Sequence, residues 1–576
     1  DQVISLFKGC KTEDMPPHIY SFTQNVYRNM LSSRQDQTIV LMGHSGSGKT
    51  ENAKLVLNYL FKVAGLKQAS NSSNFTEAKL NATFCLLNAF CSVRTGKNLS
   101  GANKFLNVFL LEFNHAGQLS SLLLQLIGTD HTRIVYQPND ESNFLIFYYM
   151  MFCSDELFKA EYGLTNDLEL LANNLFFQSS DDFYREKKKG VDYTNKCFEQ
   201  IRDSFKQLMF TSAETRTLFS LLAAIIRLGK AGATSQSATA AATSTPSVNK
   251  AGTFQSVDEA HAAANLLGIT FSQLHDCIFN NQSSSSNGAN SSSARPSKYG
   301  HLSNKGSSAA SPDTPSGFSN QLTPIECLKG FCIGLYQECL NILANCINRA
   351  FKPNFNSNVY YYQQSVSNSM LIIDPPGFQY QLDEKHAASY SDLICNYLNE
   401  RFQLIFYQSN FINPIDNYTQ EGLDVDLIEH IPESPSHLVN WLDKPPTATS
   451  LLHHRMDSPL SANNNVSNKT NIANLNGGLL WLIEEQMSYD QKSPRDLLKK
   501  LADSDPKKLF FSPNQATNFT IYHKFSQFPV QYNLDVWLDK LCKDFNMSQR
   551  NLQSLLDSKK ECISATFMAN TSPNGT

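Results

Sequence analysis

The 576-residue chain has no surplus of basic charge: 48 lysines and arginines stand against 52 acidic residues, a net charge of −4. A general nucleic-acid binder would carry the opposite imbalance, so that class is set aside. Long apolar runs are also missing. The most apolar stretch, Leu218 to Ile226, falls far short of the ~20 residues a transmembrane segment needs. The N-terminus, DQVISLFKGC, has no apolar signal segment and no initiator Met, and reads as a cut edge rather than a secretory leader. The 13 cysteines form no CxxC pair and no Cys/His ligand spacing, which argues against structural zinc. Their odd number without a secretory signal favours reduced thiols in an intracellular protein. No internal repeat is apparent. What the chain does hold, 41% hydrophobic residues, is ample for a large core and too much for a disordered chain.

Three tracts interrupt the globular pattern. Residues 231–251 and 281–322 are rich in Ser, Ala, Asn and Thr, and 458–478 in Asn and Ser. With little to bury, they are expected to be low-complexity surface insertions. Ser311-Pro312 and Thr314-Pro315 within the second are candidate phosphorylation sites. Elsewhere the pattern predicts strands at Thr38–Met42, Phe105–Phe113 and Met370–Ile373, the last ending in Asp374. It predicts helices over 49–64, with Gly65 as a stop, and over 325–353 and 384–411. In the last helix Ile394, Leu398, Phe402 and Ile405 share one face and are expected in the core. Strands alternating with helices predict an α/β core with a mixed sheet.

The strongest motif is Gly43-His44-Ser45-Gly46-Ser47-Gly48-Lys49-Thr50, a complete GxxxxGK[ST] between a predicted strand and helix. Glycines let successive backbone N–H groups turn inward around phosphate oxygens, where a helix start adds positive potential. Lys49 would reach the β- and γ-phosphates of ATP or ADP, and the Thr50 hydroxyl would ligate Mg²⁺.

Beyond that loop, KTEDMPPHIYSF at 11–22 and GKTEN at 48–52 resemble the start of a myosin motor domain. Further stretches match in family order. Glu141-Ser142-Asn143-Phe144 with Phe147-Tyr148 is similar to the ERNFHIFY segment. Asp374-Pro375-Pro376-Gly377-Phe378-Gln379 resembles switch II, and Asn396 to Gln403 the relay helix. Gly478-Leu479-Leu480-Trp481, Tyr532-Asn533 and Val536-Trp537-Leu538 fit the lower actin-binding half. GxSGSGKT, DxPGFQ and GLLW followed by Glu484-Glu485 look most like the divergent class XVIII myosins.

The resemblance implies a P-loop myosin-head fold with a mixed transducer sheet. Residues 1–70 would hold the phosphate loop, and 71–365 switch I and the upper actin-binding half. Switch II and the relay helix would fall in 366–432, and the lower actin-binding half in 433–576. It implies Mg²⁺ held by Thr50 and Asp374, a γ-phosphate contact from the Gly377 N–H, actin filaments as partner, and a cytoplasmic place on the actin cytoskeleton. The family's adenine-contacting loop, converter and lever arm have no counterpart in these residues. Light chains and a dimer partner would act only through such regions.

The same resemblance implies a poor ATPase. Aligned on the Phe105 strand, Ala102, Asn103 and Lys104 stand where the family's switch I has two serines and an arginine. Gln379 stands in place of the switch II glutamate. Ala102 lacks the water-orienting hydroxyl, Asn103 replaces a magnesium-ligand serine, and Lys104 with neutral Gln379 could share one hydrogen bond at best. Phosphoryl transfer depends on positioning and charge stabilisation, so these losses are expected to slow hydrolysis by ~10²–10⁴. An inserted residue within 94–101 leaves a second alignment open, in which Arg94 or Ser100 supplies the missing groups. Pro375-Pro376 is expected to stiffen the approach to Gly377. The leading expectation is therefore a nucleotide-binding actin tether or scaffold, with a slow actin-activated motor as the alternative. Histidines 44, 115, 131 and 453–454 read as packed or surface residues, with His44 a candidate pH modulator. The lysine runs at 187–189, 499–500 and 507–508 read as solvated charge.

Overall fold

The computed structural model describes residues 2–11, 15–65, 75–96, 98–130, 132–137, 141–165, 167–171, 173–177, 191–235, 252–279 and 322–352. Beyond these it describes 366–380, 387–423, 433–445, 477–487, 494–505, 510–513, 517–526, 529–534 and 555–571. The three low-complexity tracts lie almost wholly outside the described residues, as do the Ser-Pro and Thr-Pro pairs, Val536–Leu538, His131, His453–His454 and the runs at 187–189 and 507–508.

Four strands build the main sheet: β1 (Gln37–Val40), β2 (Phe105–Asn114), β3 (Leu119–Gly128) and β4 (Val366–Asp374), in the order β1–β4–β2–β3. β1 runs parallel to β4 with Thr38 opposite Leu371, whereas β2 is antiparallel to both β4 and β3. The sheet is therefore mixed, as the alternation of elements predicts. Phe105, Phe109, Leu111 and Phe113 alternate onto the buried face of β2, and Asn107 is the polar member of that phase. Because β1 and β4 are parallel, their C-terminal ends emerge at one edge, and the loops that follow them lie side by side.

Seven helices carry the argument: α1 (Ile19–Ser33), α2 (Lys49–Ala64), α3 (Glu77–Cys91), α4 (Val191–Gln207), α5 (Ser212–Ala231), α6 (Pro324–Ala350) and α7 (Tyr390–Tyr407). Their starts are written locally. Thr211, Thr323 and Ser389 each close a full capping box, with Glu214, Glu326 and Asp392 three residues on. The apolar run Leu218–Ile226 is the middle of α5 and is buried. Among the described residues, no helix is long and apolar enough to cross a membrane.

The third predicted helix is corrected. α7 starts at Tyr390, where Ser389 caps it, and passes through a wide turn over Gln408–Ile412 into a further helix, Asn413–Gln420. The expected apolar face is not the buried one. Ile405 is 50% exposed, as are Phe406 and Tyr418 to a similar degree, while Leu393, Cys395, Asn396, Asn399 and Glu400 are buried. Hydrogen bonding to neighbouring segments, rather than apolar burial alone, therefore sets how α7 faces the protein.

Among the described residues three apolar clusters result, the smallest built from Ile4, Phe7, Tyr20 and Tyr59. The largest lies around the main sheet and α2, α3, α5 and α6. A second surrounds a small antiparallel sheet of β5 (Phe511–Pro513), β6 (Asn518–Ile521) and β7 (Val530–Asn533), ordered β7–β6–β5, and includes Leu393, Leu442, Leu482 and Phe378. Phe378 follows β4 by four residues, so the segment after Asp374 joins the largest core to the second.

Candidate functional site

At the edge where β1 and β4 end, Leu41 N–H donates to the Ile373 carbonyl at 3.0 Å, and the chain turns through Gly43–Thr50 into α2. Gly48 occupies the left-handed region (φ 88°) immediately before the helix, a conformation that side chains disfavour. Lys49 is buried and folds back over the loop, its ammonium donating to the Gly43 carbonyl at 3.1 Å and the His44 carbonyl at 2.8 Å. Burial lowers its pKa, opposed in part by the Asp374 carboxylate.

Thr50 Oγ1 donates to Asp374 Oδ2 at 2.8 Å, and Asn107 Nδ2 donates to the same oxygen at 3.3 Å. The strand register sets Asn107 opposite Asp374, which explains a polar residue in that buried phase. Burial pushes the Asp374 carboxyl up to about 6 against the pull of the Thr50 hydroxyl and Lys49. Its second oxygen, Oδ1, is buried without a hydrogen-bond partner. A hard, half-satisfied carboxylate behind a hydroxyl is an oxygen donor set that would suit Mg²⁺, with Thr50 and Asp374 as the residues to hold it. Among the described residues, no group of three His, Cys, Asp or Glu could hold a metal on its own.

A cavity of about 550 Å³ opens over this loop. Of the predicted phosphate-loop residues, Ser45, Gly46, Gly48, Lys49 and Thr50 line it, with Asn107 and Gly377 facing them. Gly43, His44 and Ser47 support the loop instead: Gly43 and His44 accept from Lys49, and Ser47 N–H donates to the His44 carbonyl. The His44 ring is packed edge-on against Phe378 and Tyr380, with centroids 5.6 and 5.3 Å away.

The segment after Asp374 is bonded to the loop like a short parallel strand. Phe378 N–H donates to the Gly43 carbonyl and Ser45 N–H to the Phe378 carbonyl, both at 3.1 Å. Gly377 is pressed against the loop so closely that a Cβ there would lie 2.4 Å from the Ser45 nitrogen. From the other side α7 grips the same segment. Asn399 Nδ2 donates to the Pro376 carbonyl at 3.0 Å. Asn396 both accepts from the Gln379 N–H (2.7 Å) and donates to the Gln379 carbonyl (2.8 Å). Behind Asn396 a buried polar chain runs to Tyr532, whose hydroxyl lies 2.9 Å from His523 Nε2, and on to Glu400, 3.3 Å from His523 Nδ1.

Lys104 and Gln379 do not share even the single hydrogen bond that the alignment allows at best. Gln379 turns its amide onto the Gly377 carbonyl at 3.0 Å. Lys104, 1% exposed, points elsewhere: Nζ lies 3.8 Å from Glu141 Oε2 and 3.9 Å from Asp392 Oδ1. A buried ammonium needs carboxylates, which a neutral amide does not replace. Burial works to discharge Lys104, but Glu141, Asp392 and Asp130 together outweigh it and Arg133, and hold its pKa above the usual lysine value. Asn103 lines the cavity, yet its amide is engaged with the Phe105 backbone at 2.7 and 3.0 Å. Ala102 lines it without a hydroxyl. Of the two alternative donors, Ser100 lines the cavity and donates to Asn98 Oδ1; Arg94 is not among the lining residues.

Sequence reasoning placed Asn399 and Glu400 in the relay-helix match and Tyr532 in the lower actin-binding match without giving them a role at this site, and it missed Asn107 and His523. Asn107 left a signal, as a polar residue in the buried phase of β2. The others come from distant segments and act through tertiary contact.

The family model described as myosin head (motor domain) matches residues 1–313. Unconventional myosin-XVIIIa of Mus musculus is 30% identical over 99% of this chain and 25% of its own length. Unconventional myosin-XVIIIb of Homo sapiens is 28% identical over 97% of this chain and 20% of its own length. The myosin ID heavy chain of Dictyostelium discoideum is 25% identical over 72% of this chain and 33% of its own. The chain thus spans a quarter or less of the length of the first two relatives.

Proposed function

The chain belongs to the myosin head family, and from that premise we propose that it is a motor-like module that binds Mg²⁺ with ATP or ADP and associates with actin filaments while hydrolysing ATP slowly or not at all. Its role is that of an actin tether or scaffold on the cytoplasmic actin cytoskeleton. One contrast carries this reading. The binding groups converge on one cavity, with Lys49 and Thr50 at the helix start and Asp374 behind them. The groups needed to close the site are diverted, with Lys104 on Glu141 and Asp392, and Gln379 on its own backbone.

In this reading the loop from Gly43 to Thr50 and the Gly377 N–H hold the polyphosphate, and Thr50 with Asp374 hold the metal. Bound there, Mg²⁺ neutralises phosphate charge. The chain's own residues orient the nucleotide: Lys49 exchanges its two loop carbonyls for phosphate oxygens, and Asn107 holds Asp374 in place. Nothing at positions 102–104 offers a free hydroxyl to orient a water. Residues 1–70, 71–365, 366–432 and 433–576 would serve as the phosphate-loop, upper actin-binding, switch–relay and lower actin-binding parts.

A slow actin-activated motor is the second reading, favoured by the Ser100 hydroxyl on the cavity wall. Single-turnover phosphate release from the full-length protein, with and without actin filaments, separates the two. Nucleotide binding without release over many minutes, with actin affinity indifferent to nucleotide, supports the tether. Release accelerated by actin overturns it in favour of the motor.

A further inference from the structure

Lys104 belongs to a buried ionic chain that lies outside the lining of the cavity. Arg133, fully buried, donates from Nε to Asp130 Oδ2 at 2.6 Å and from Nη1 to Glu141. Lys104 continues the chain from Glu141 to Asp392, with its ammonium hydrogen-bonded to neither. Three carboxylates and two cations are thereby collected in a largely buried seam. Without Lys104 two of the three negative charges there would be uncompensated, a costly state in low dielectric.

The two ends of the chain matter more than its energy. The Lys104 backbone directly follows Ala102 and Asn103 of the cavity wall and is clamped, its N–H donating to the Cys91 carbonyl (2.9 Å) and its carbonyl accepting from Thr129 Oγ1 (2.9 Å). Asp392 is the capping-box residue of α7: Oδ2 accepts from the Ser389 N–H at 2.9 Å, while Oδ1 faces Lys104. One helical turn further on is Asn396, which with Asn399 holds residues 376–379 against the phosphate loop.

We propose that Lys104 is a positioning residue: its ammonium, shared by Glu141 and Asp392, latches the segment that follows the cavity wall at 102–103 to the start of α7, so that Asn396 and Asn399 keep residues 376–379 on the phosphate loop with or without nucleotide. The clause about nucleotide rests on the function proposed above; the latch itself does not.

Hydrogen–deuterium exchange on the full-length protein tests it, following peptides over 376–380 and 390–400 with a peptide in α5 as internal reference. Wild type is expected to exchange alike in both peptides with and without MgADP. Lys104→Met and Asp392→Asn are each expected to raise exchange in both peptides by about tenfold in the absence of nucleotide, leaving α5 unchanged. Lys104→Arg, which keeps the charge and reaches both carboxylates, is expected to behave as wild type. Asp392→Asn retains an oxygen to cap Ser389, so it keeps the test decisive if the Met variant does not fold. The latch is overturned if Asp392→Asn exchanges as wild type, if α5 rises equally, or if wild type gains protection in these peptides on adding MgADP. A fluorescent ADP titration on the same samples isolates the other reading. If wild type binds no nucleotide, the proposed binding function fails, while the nucleotide-free comparison of the variants still decides the latch.

Discussion

A methyl group added at Gly377 would meet three backbone atoms at once: Ser45 nitrogen at 2.4 Å, Ser45 Cα at 2.6 Å and His44 carbonyl carbon at 2.7 Å. Backbone cannot swing aside as a flexible side chain can. Gly377→Ala must therefore push residues 376–379 off the phosphate loop, and it is expected to lower stability by about 1–3 kcal/mol, as overpacking does, and to weaken nucleotide binding. Thermal melts with and without MgADP check both effects; a variant that melts like wild type and binds equally well would show the close approach to be unimportant. Lys49 offers a cleaner loss of function. Its ammonium bonds only to loop carbonyls in this structure, so Lys49→Met should leave the fold intact while removing a charge-assisted phosphate contact, for an affinity loss of about 10²-fold. A fluorescent nucleotide titration beside a melting curve reads this, and unchanged affinity would remove Lys49 from the site.

Between elements, the junction of α5 with the end of α6 rests on Glu214 and Arg349, which meet in a two-pronged contact at 2.6 and 2.8 Å. Glu214 is also the capping-box residue of α5, so one carboxylate both starts a helix and joins it to another. Burial works to raise its pKa, but the Arg349 guanidinium and the Thr211 amide outweigh this and hold it below the usual value of 4.5. A depressed carboxyl stabilises the fold above its ordinary pKa and stops doing so as pH falls through the folded value. Arg349→Ala is therefore expected to cost about 2 kcal/mol at pH 7, discounted because the arginine is half exposed, and the difference from wild type should shrink below pH 4.5 and then vanish. Urea unfolding at pH 7 and at pH 4 checks it; a pH-independent difference would mean the loss is packing alone. This scale also explains what the sequence hid in α7. Its helical pattern was legible, but the predicted start at 384 missed the Ser389–Asp392 capping box that begins it at Tyr390. Which face is buried could not be read, because Asn396, Asn399 and Glu400 are inside by virtue of partners in residues 376–379, 523–525 and 532.

For the whole molecule, ligand linkage gives the broadest test. If the cavity holds MgADP, a hundredfold excess over Kd should stabilise the protein by about 2.7 kcal/mol, and sedimentation with actin filaments should be the same with and without that nucleotide. Stabilisation with nucleotide-sensitive actin binding would favour a working motor; no stabilisation would leave the loop without a ligand. At this scale the division between sequence and tertiary structure is plain. By itself the sequence determined the GxxxxGK[ST] loop, the strand before it and helix after it, the mixed α/β core and the family, because each is written in contiguous residues such as GHSGSGKT and the period-2 run of β2. Aligned on the Phe105 strand, it also led to the expectation that positions 102–104 and 379 depart from the family's pattern. Only the tertiary structure decided what those altered residues do. The alignment left Lys104 and Gln379 at best one shared hydrogen bond, and the fold does not make it, because a buried ammonium goes where carboxylates are. Glu141 and Asp392 lie 37 and 288 positions along the chain from it, brought near by the strand order β1–β4–β2–β3 and the docking of α7. Local patterns fix elements because neighbours in sequence are neighbours in space; the partner of a buried charge is fixed by the fold as a whole.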